Sequence, residues 1–352
     1  MERAGALIIE PTGNDAVMGM PGLAKIREHQ KINERIQDWV RSHPVKLHVP
    51  VDSPAANFPI CEITKKSGSR VVHLVAPQIW AWGRWRIHKL RRLTDLVLCL
   101  LPFEEDFFSK RKVPAKFIGH MLFDEPIDAV ALEKEAVGFP VGSPRIALMP
   151  GSRPAELQAN FPLILDIVKS LKSEMPGLVG MVAATREPVV HTLQGLARDW
   201  CKERGETIGA NGWPLGLSHA VGATDAIIHW SDLALVKSGT VTLQVAKHRK
   251  PMVIFYKKSN PVAFVMAKMI MSTKFFTLPN VIAHKEIVPE FVPHYGGPEP
   301  ITQTARELLT MPHQAEAQRH LIDGVLDQFA GRFASGLAAD SILEVLDTCQ
   351  AK

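Results

Sequence analysis

Short, continuously apolar runs alternate along the chain with longer stretches whose apolar positions recur every three or four residues. The runs Val45–Val51, Val71–Ala76, Leu96–Leu101, Ile146–Met149, Val179–Ala184, Ala226–Ile228, Leu233–Val236 and Met252–Tyr256 predict strands. Ile26–Arg41, Ala155–Glu174 and the residues from Thr240 to Lys247 predict helices. A last helix is predicted over Ala334–Thr348, with an apolar face of Leu337, Ile342, Leu343 and Leu346. Strands that lack polar alternation are covered on both faces, which calls for parallel pairing with helices above and below. The expected class is α/β.

Breaker-rich segments divide this pattern. Gly138-Phe-Pro-Val-Gly-Ser-Pro144 separates an N-terminal α/β portion from a second α/β domain. Pro289–Pro300 (PEFVPHYGGPEP) is a second linker, after which only helices are expected. The expected division is residues 1–140, 141–330 and 331–352. A length of 352 residues with 46% hydrophobic content supports two cores and excludes wholesale disorder.

Charge narrows the partners. Lys+Arg 41 against Asp+Glu 36 leaves +5, a mild excess that suits an anionic ligand or an anionic membrane surface and is too weak to argue for nucleic acid. No run of eighteen or more apolar residues occurs, so any membrane contact is expected to be peripheral. The first residues show no signal-peptide pattern. Cys61, Cys99, Cys201 and Cys349 form no C-x-x-C pair, which points to a reducing cytoplasm rather than to zinc or a disulfide framework.

In parallel α/β sheets, ligands gather at the carboxyl ends of strands. Three such positions stand out. Pro150-Gly151-Ser152-Arg153 leaves a strand and enters a helix, where main-chain N–H groups and a guanidinium would face an anion. Ser238-Gly239-Thr240 repeats the device after a later strand, and two such loops suit a diphosphate. Each loop alone is also ordinary turn and cap chemistry. Asp52 follows a strand and precedes Ser53-Pro54, so it is a candidate general base or a plain turn residue. Between Ile79 and Arg92, the tryptophans Trp80, Trp82 and Trp85 sit among five basic residues, a mixture suited to a membrane interface or to a helix with a buried and a solvated face. No Asp-x-Asp and no Cys/His cluster with metal-ligand spacing is present, so no metal site is expected.

Taken in order, Val75–Trp82 (VAPQIWAW), Leu101–Glu104 (LPFE), Phe117–His120 (FIGH), Met149–Arg153 (MPGSR), Ser238–Thr240 (SGT) and Leu278–Asn280 (LPN) resemble the blocks of the lipid-A-disaccharide synthase family. The resemblance runs from about Met1 to Phe291. It implies a GT-B fold, two Rossmann-like domains facing across a cleft, and an inverting transfer without metal or other cofactor. UDP-2,3-diacylglucosamine would donate its sugar to the 6-hydroxyl of 2,3-diacylglucosamine 1-phosphate at the cytoplasmic face of the inner membrane. No nucleic-acid partner is implied, and an oligomer is compatible with it.

Residue by residue, the resemblance implies Asp52 as the base for the acceptor hydroxyl. It implies Ser152, Arg153, Gly239, Thr240, Gln244 and Asn280 as donor UDP-binding residues. Val17 and Met18 fall in an apolar loop near the acyl chains, with Trp80, Trp82 and Trp85 as further acyl-chain or membrane contacts. Gln244 stands where the family has Glu, which keeps one acceptor and loses the charge. The family's opening strand, Gly-Glu-Thr-Ser-Gly-Asp loop, first helix and second strand have no counterpart before Met1, which implies a truncated N-terminal domain. Two other readings compete: a shortened, non-catalytic paralogue that binds UDP or acylated sugar, and another GT-B sugar-nucleotide enzyme.

Overall fold

Apolar runs become strands where helices cover both of their faces. The computed structural model describes residues 4–9, 23–257 and 273–350, so Val17 and Met18 lie outside the described residues. The chain divides into two units, Met1–Gly119 with Phe333–Lys352, and His120–Arg332.

In the first unit, β1 (Leu47–His48), β2 (Arg70–Leu74), β3 (Leu96–Cys99) and β4 (Ala115–Phe117) form a parallel sheet in that order. A bridge between Val51 and Leu74 carries the β1–β2 pairing on to the carboxyl edge. Helices Pro54–Lys66, Ile87–Leu93 and Glu104–Ser109 make the returns. They bury Phe58, Cys61, Leu90 and Phe108, together with Ile79 from the turn after β2, against Val71 and Val97 of the sheet. Asp95 clips the amino edge by accepting from Val71 N (2.7 Å), Lys65 Nζ (2.6 Å) and Arg70 Nη1 (2.9 Å). The C-terminal helix Ala334–Gln350 packs on β2. Its buried face is Ala334, Ala338 and Ser341; Leu343, expected inside, is 54% exposed.

The second unit holds six parallel strands: β5 (Arg145–Met149), β6 (Val179–Ala184), β7 (Ser218–Val221), β8 (Leu233–Lys237), β9 (Met252–Lys257) and β10 (Glu290–His294). Their order is β10-β9-β8-β5-β6-β7. The chain therefore winds outward from β5 through β6 to β7, then restarts beside β5 with β8 and winds the other way. The reversal between β5 and β8 is the topological switch point, where a doubly wound sheet opens a crevice at its carboxyl edge. Helix Pro154–Glu174 buries Leu157, Phe161, Ile164, Val168 and Leu171, spaced to form one stripe. At the far edge Arg145 grips Asp232 (Nη2–Oδ1 2.8 Å, backbone N–Oδ2 2.9 Å) and locks β5 to β8.

Three elements depart from the sequence reading. Ala226–Ile228, expected as a strand, lies inside helix Thr224–Trp230, with all three side chains fully buried. A short apolar run has the same pattern in a buried helix as in a buried strand. The actual strand is β7, whose Ser218-His219-Ala220-Val221 lies at the sheet edge and carries no apolar signature. The expected linker after Pro289 contains β10, the opposite edge strand, where Pro293 is tolerated because only one side of the strand needs a partner.

Candidate active site

The loops expected to face an anion leave the two strands that flank the switch point. Met149 pairs with Val236 at the ends of β5 and β8, so Gly151-Ser152-Arg153 and Ser238-Gly239-Thr240 emerge side by side. Gly151 has φ +103°, and a Cβ there would sit 3.0 Å from Glu156 Oε2 and 3.4 Å from Lys237 Cδ. The position therefore needs glycine for its backbone angle and for the close approach beneath it. Ser152, Arg153, Gly239 and Thr240 are exposed.

Beneath the two loops lies an ion cluster. Glu156, in the first turn of helix Pro154–Glu174, accepts from Lys237 Nζ at 2.8 Å and from Arg153 Nη1 at 3.0 Å, both on Oε1. The Glu156 and Lys237 side chains are 11% and 12% exposed, whereas Arg153 is 55% exposed. Burial pushes the Glu156 carboxyl up, but Lys237 and then Arg153 outweigh it and hold the group below the usual carboxylate range. The Lys237 ammonium also lies 4.9 Å from the Tyr256 ring centroid. Lys237 belongs to β8 and Glu156 to the helix after β5, so the pair ties the two halves of the switch point together. Two cations on one carboxylate leave a net positive charge under two loops of main-chain amides.

Glu156 and Lys237 were not singled out from the sequence. Their signal was a carboxylate one helical turn after Arg153 and a lysine closing the apolar run Leu-Ala-Leu-Val just before Ser-Gly-Thr.

Gln244 is half-buried one turn into helix Val241–Lys247. It neighbours Asp225, whose carboxyl is held below its ordinary range first by a hydrogen bond with His248 (Nε2–Oδ1 2.7 Å), and also by one with Gln244. Asn280, expected among the donor-binding residues, spends its amide on the protein itself. It is fully buried, its Nδ2 donates to Val288 O (2.9 Å) and Glu290 Oε2 (3.0 Å), and its Oδ1 accepts from Ile287 N (2.8 Å) and Val288 N (3.0 Å). An asparagine amide makes four such bonds at most, so none remains for a ligand, and Asn280 shapes the turn that leads into β10. Glu290 completes that turn by accepting from Phe276 N, Thr277 N and Thr277 Oγ1.

In the first unit, Asp52 stands at the carboxyl end of the β1–β2 pairing with φ +52° and an exposed side chain. The three tryptophans separate. Trp80 is buried, donates from Nε1 to Glu104 Oε1 (2.8 Å) and packs edge-on against Phe103. Glu104 also accepts from Leu100 N and Leu101 N, and burial pushes its carboxyl up to about 7. Trp80 is therefore a core residue and not a lipid contact. Trp82 (48% exposed) and Trp85 (65% exposed) remain outside, with the Arg86 guanidinium 3.8 Å from the Trp82 ring centroid.

Among the described residues, no three His, Cys, Asp or Glu are grouped so as to hold a metal ion, and no helix is long and apolar enough to cross a membrane.

The chain resembles known proteins along nearly all of its length. A family model described as lipid-A-disaccharide synthetase matches residues 1–335. The lipid-A-disaccharide synthase of Colwellia psychrerythraea is 30% identical over 95% of this chain and 82% of its own. That of Psychromonas ingrahamii is 31% identical over 87% and 78%, respectively. Among solved structures, the UDP-GlcNAc 2-epimerase of Neisseria meningitidis superposes with a TM-score of 0.57 over 93% of this chain and 84% of its own, at 11% identity. A trehalose 6-phosphate synthase from Burkholderia multivorans does so with a TM-score of 0.54 over 95% and 77%, at 10% identity. At so low an identity these two speak to the fold alone, the GT-B architecture of two parallel α/β sheets. Matched across both of its units, the chain belongs to the lipid-A-disaccharide synthase family, the glycosyltransferases of lipid A biosynthesis.

Proposed function

We propose that the protein condenses UDP-2,3-diacylglucosamine with 2,3-diacylglucosamine 1-phosphate, inverting the configuration at the donor C1 and releasing UDP. The observation that carries this reading is the positive cluster of Lys237, Glu156 and Arg153 beneath two amide-bearing loops at the switch point. That arrangement suits a diphosphate, whose charge grows as the sugar departs. Arg153 is exposed and, among the described residues, is held through Nη1 alone, so it has further donors for phosphate oxygens. Main-chain groups of Ser152, Gly239 and Thr240 would take the remaining oxygens. Gln244 would accept from the donor ribose, and Asn280 would act at one remove through the turn it shapes.

In the same reading, the Asp52 carboxylate takes the proton of the acceptor 6-hydroxyl. The oxygen bonds to C1, the bond from C1 to the β-phosphate oxygen breaks, and UDP leaves with the electron pair. Trp82 and Trp85, exposed beside Arg84 and Arg86, fit an anionic interface and support peripheral attachment to the inner membrane. The relatives matched across both units are named as synthases, which favours transfer over binding without turnover.

The test is Asp52→Ala assayed with both lipid substrates. A general base contributes roughly 10²–10⁴-fold. The variant is expected to lose that much turnover while its affinity for UDP stays within about twofold of the wild type. Near-normal turnover would remove Asp52 from the reaction.

A further inference from the structure

We infer that His73, together with Asn57, is a positioning residue for Asp52: the two side chains converge on the Asp52 carbonyl and hold that residue in the left-handed conformation that presents its carboxylate. The inference rests on the reading of Asp52 as the base.

The backbone of Asp52 is fixed on both sides. Its N–H donates to Leu74 O at 3.0 Å. Its carbonyl accepts from His73 Nε2 at 2.9 Å and from Asn57 Nδ2 at 3.2 Å. Asn57 Nδ2 also reaches Val51 O at 2.7 Å, so one amide spans the two carbonyls before the turn. Residues other than glycine seldom take a positive φ, and they keep it only where their surroundings over-determine it. Asp52 has φ +52°, and Val75, directly after its partner Leu74, has φ +63° although it is β-branched. Strain is thus concentrated at the carboxyl edge of β1 and β2, where ligands of parallel sheets gather.

His73 is an unusual residue to find beneath this turn. It is fully buried in β2, and its Nδ1 has no hydrogen-bond partner among the described residues. Burial pushes its ring down to about 4, so it is neutral near pH 7 and carries a single N–H. Donation to the Asp52 carbonyl puts that proton on Nε2 and leaves Nδ1 bare, a cost an apolar residue of similar size would avoid. What an apolar residue could not supply is the donor. His73 therefore acts through hydrogen-bond geometry, and it neither gives nor takes a proton in the reaction.

Steady-state transfer by the full chain, with UDP titrated separately, tests this. His73→Leu removes the donor, and His73→Gln replaces it with an amide. His73→Leu is expected to lower kcat by about 10–100-fold with UDP affinity within about twofold, and His73→Gln to recover at least about tenfold of that loss, leaving the shape of the pH–rate profile unchanged. In an Asp52→Ala background, His73→Leu is expected to change the residual rate by less than about twofold, because the two act as one unit. Should His73→Leu not fold, Asn57→Ala carries the test, with an expected kcat loss of about 3–10-fold at unchanged UDP affinity.

Turnover within twofold of wild type in His73→Leu, or in Asn57→Ala where that is the readable variant, would overturn the inference. So would losses that simply add to that of Asp52→Ala. If Asp52→Ala itself kept its turnover, the reading of the base would fall and this inference with it. An inactive Asp52→Ala beside a fully active His73→Leu would refute the positioning role alone.

Discussion

Glu156 is the residue on which the donor-side cluster turns, because it is a nearly buried carboxylate that holds two cations at once. An isolated surface ion pair contributes little, but removing one partner of a buried pair leaves a charge without compensation. Glu156→Gln keeps the shape and drops the charge, so Lys237 is stranded at 12% exposure. The second unit is expected to lose about 2 kcal/mol, read as a lowered denaturant midpoint at unchanged slope. An unchanged midpoint would mean that the cluster is solvated and holds nothing in place. The same scale shows where the sequence is hard to read. Trp80 and Trp82 sit two positions apart in one basic stretch, yet one bonds a buried carboxylate and the other lies open to solvent. The difference comes from Glu104, 24 residues further along the chain, and no local pattern carries it. Asn280 stands in a recognisable block, but whether an amide faces a ligand or a turn depends on the carbonyls around it.

At the level of elements, three groups on β1, β2 and the helix Glu104–Ser109, two of them buried and His48 half-buried, give the first unit a pH dependence. Burial lowers His48 and His73 from 6.5 to about 4. The unfolded chain therefore binds more protons than the folded one across that window, and each histidine removes on the order of 1 kcal/mol of stability per pH unit as the pH falls from 6.5 towards 4. Glu104 works the other way. Burial raises it from 4.5 to about 7, so the folded state binds the extra proton and gains a similar amount as the pH falls from 7 to 4.5. Two losses against one gain leave a net loss of stability as the pH falls from 6.5 to 4.5 from these groups. Glu104→Gln removes the gain, so denaturation at pH 6.5 and at pH 5 is expected to show about double the slope from them. A slope equal to that of wild type would contradict the placement of Glu104. The central strands β5, β8 and β9 were legible as continuous apolar runs because both of their faces are covered. The edge strands β7 and β10 were not, since an edge needs neither apolar faces nor a full set of backbone donors.

At the scale of the whole molecule, the α/β class and the placing of both loops between a strand and a helix could be read from residue patterns, because strand, turn and helix signals are local. The strand order could not. It is the order β10-β9-β8-β5-β6-β7 that brings Gly151–Arg153 and Ser238–Thr240, nearly ninety residues apart, onto neighbouring strands. It also lets Lys237 reach Glu156. The central claim is that this junction is a seat for the donor's diphosphate, and calorimetric titration with UDP tests it most directly. The account predicts saturable binding to one site, weakened about 10–100-fold by Arg153→Ala and falling as salt is raised. Absence of saturable binding, or an Arg153→Ala variant that binds UDP as tightly as the wild type, would contradict it.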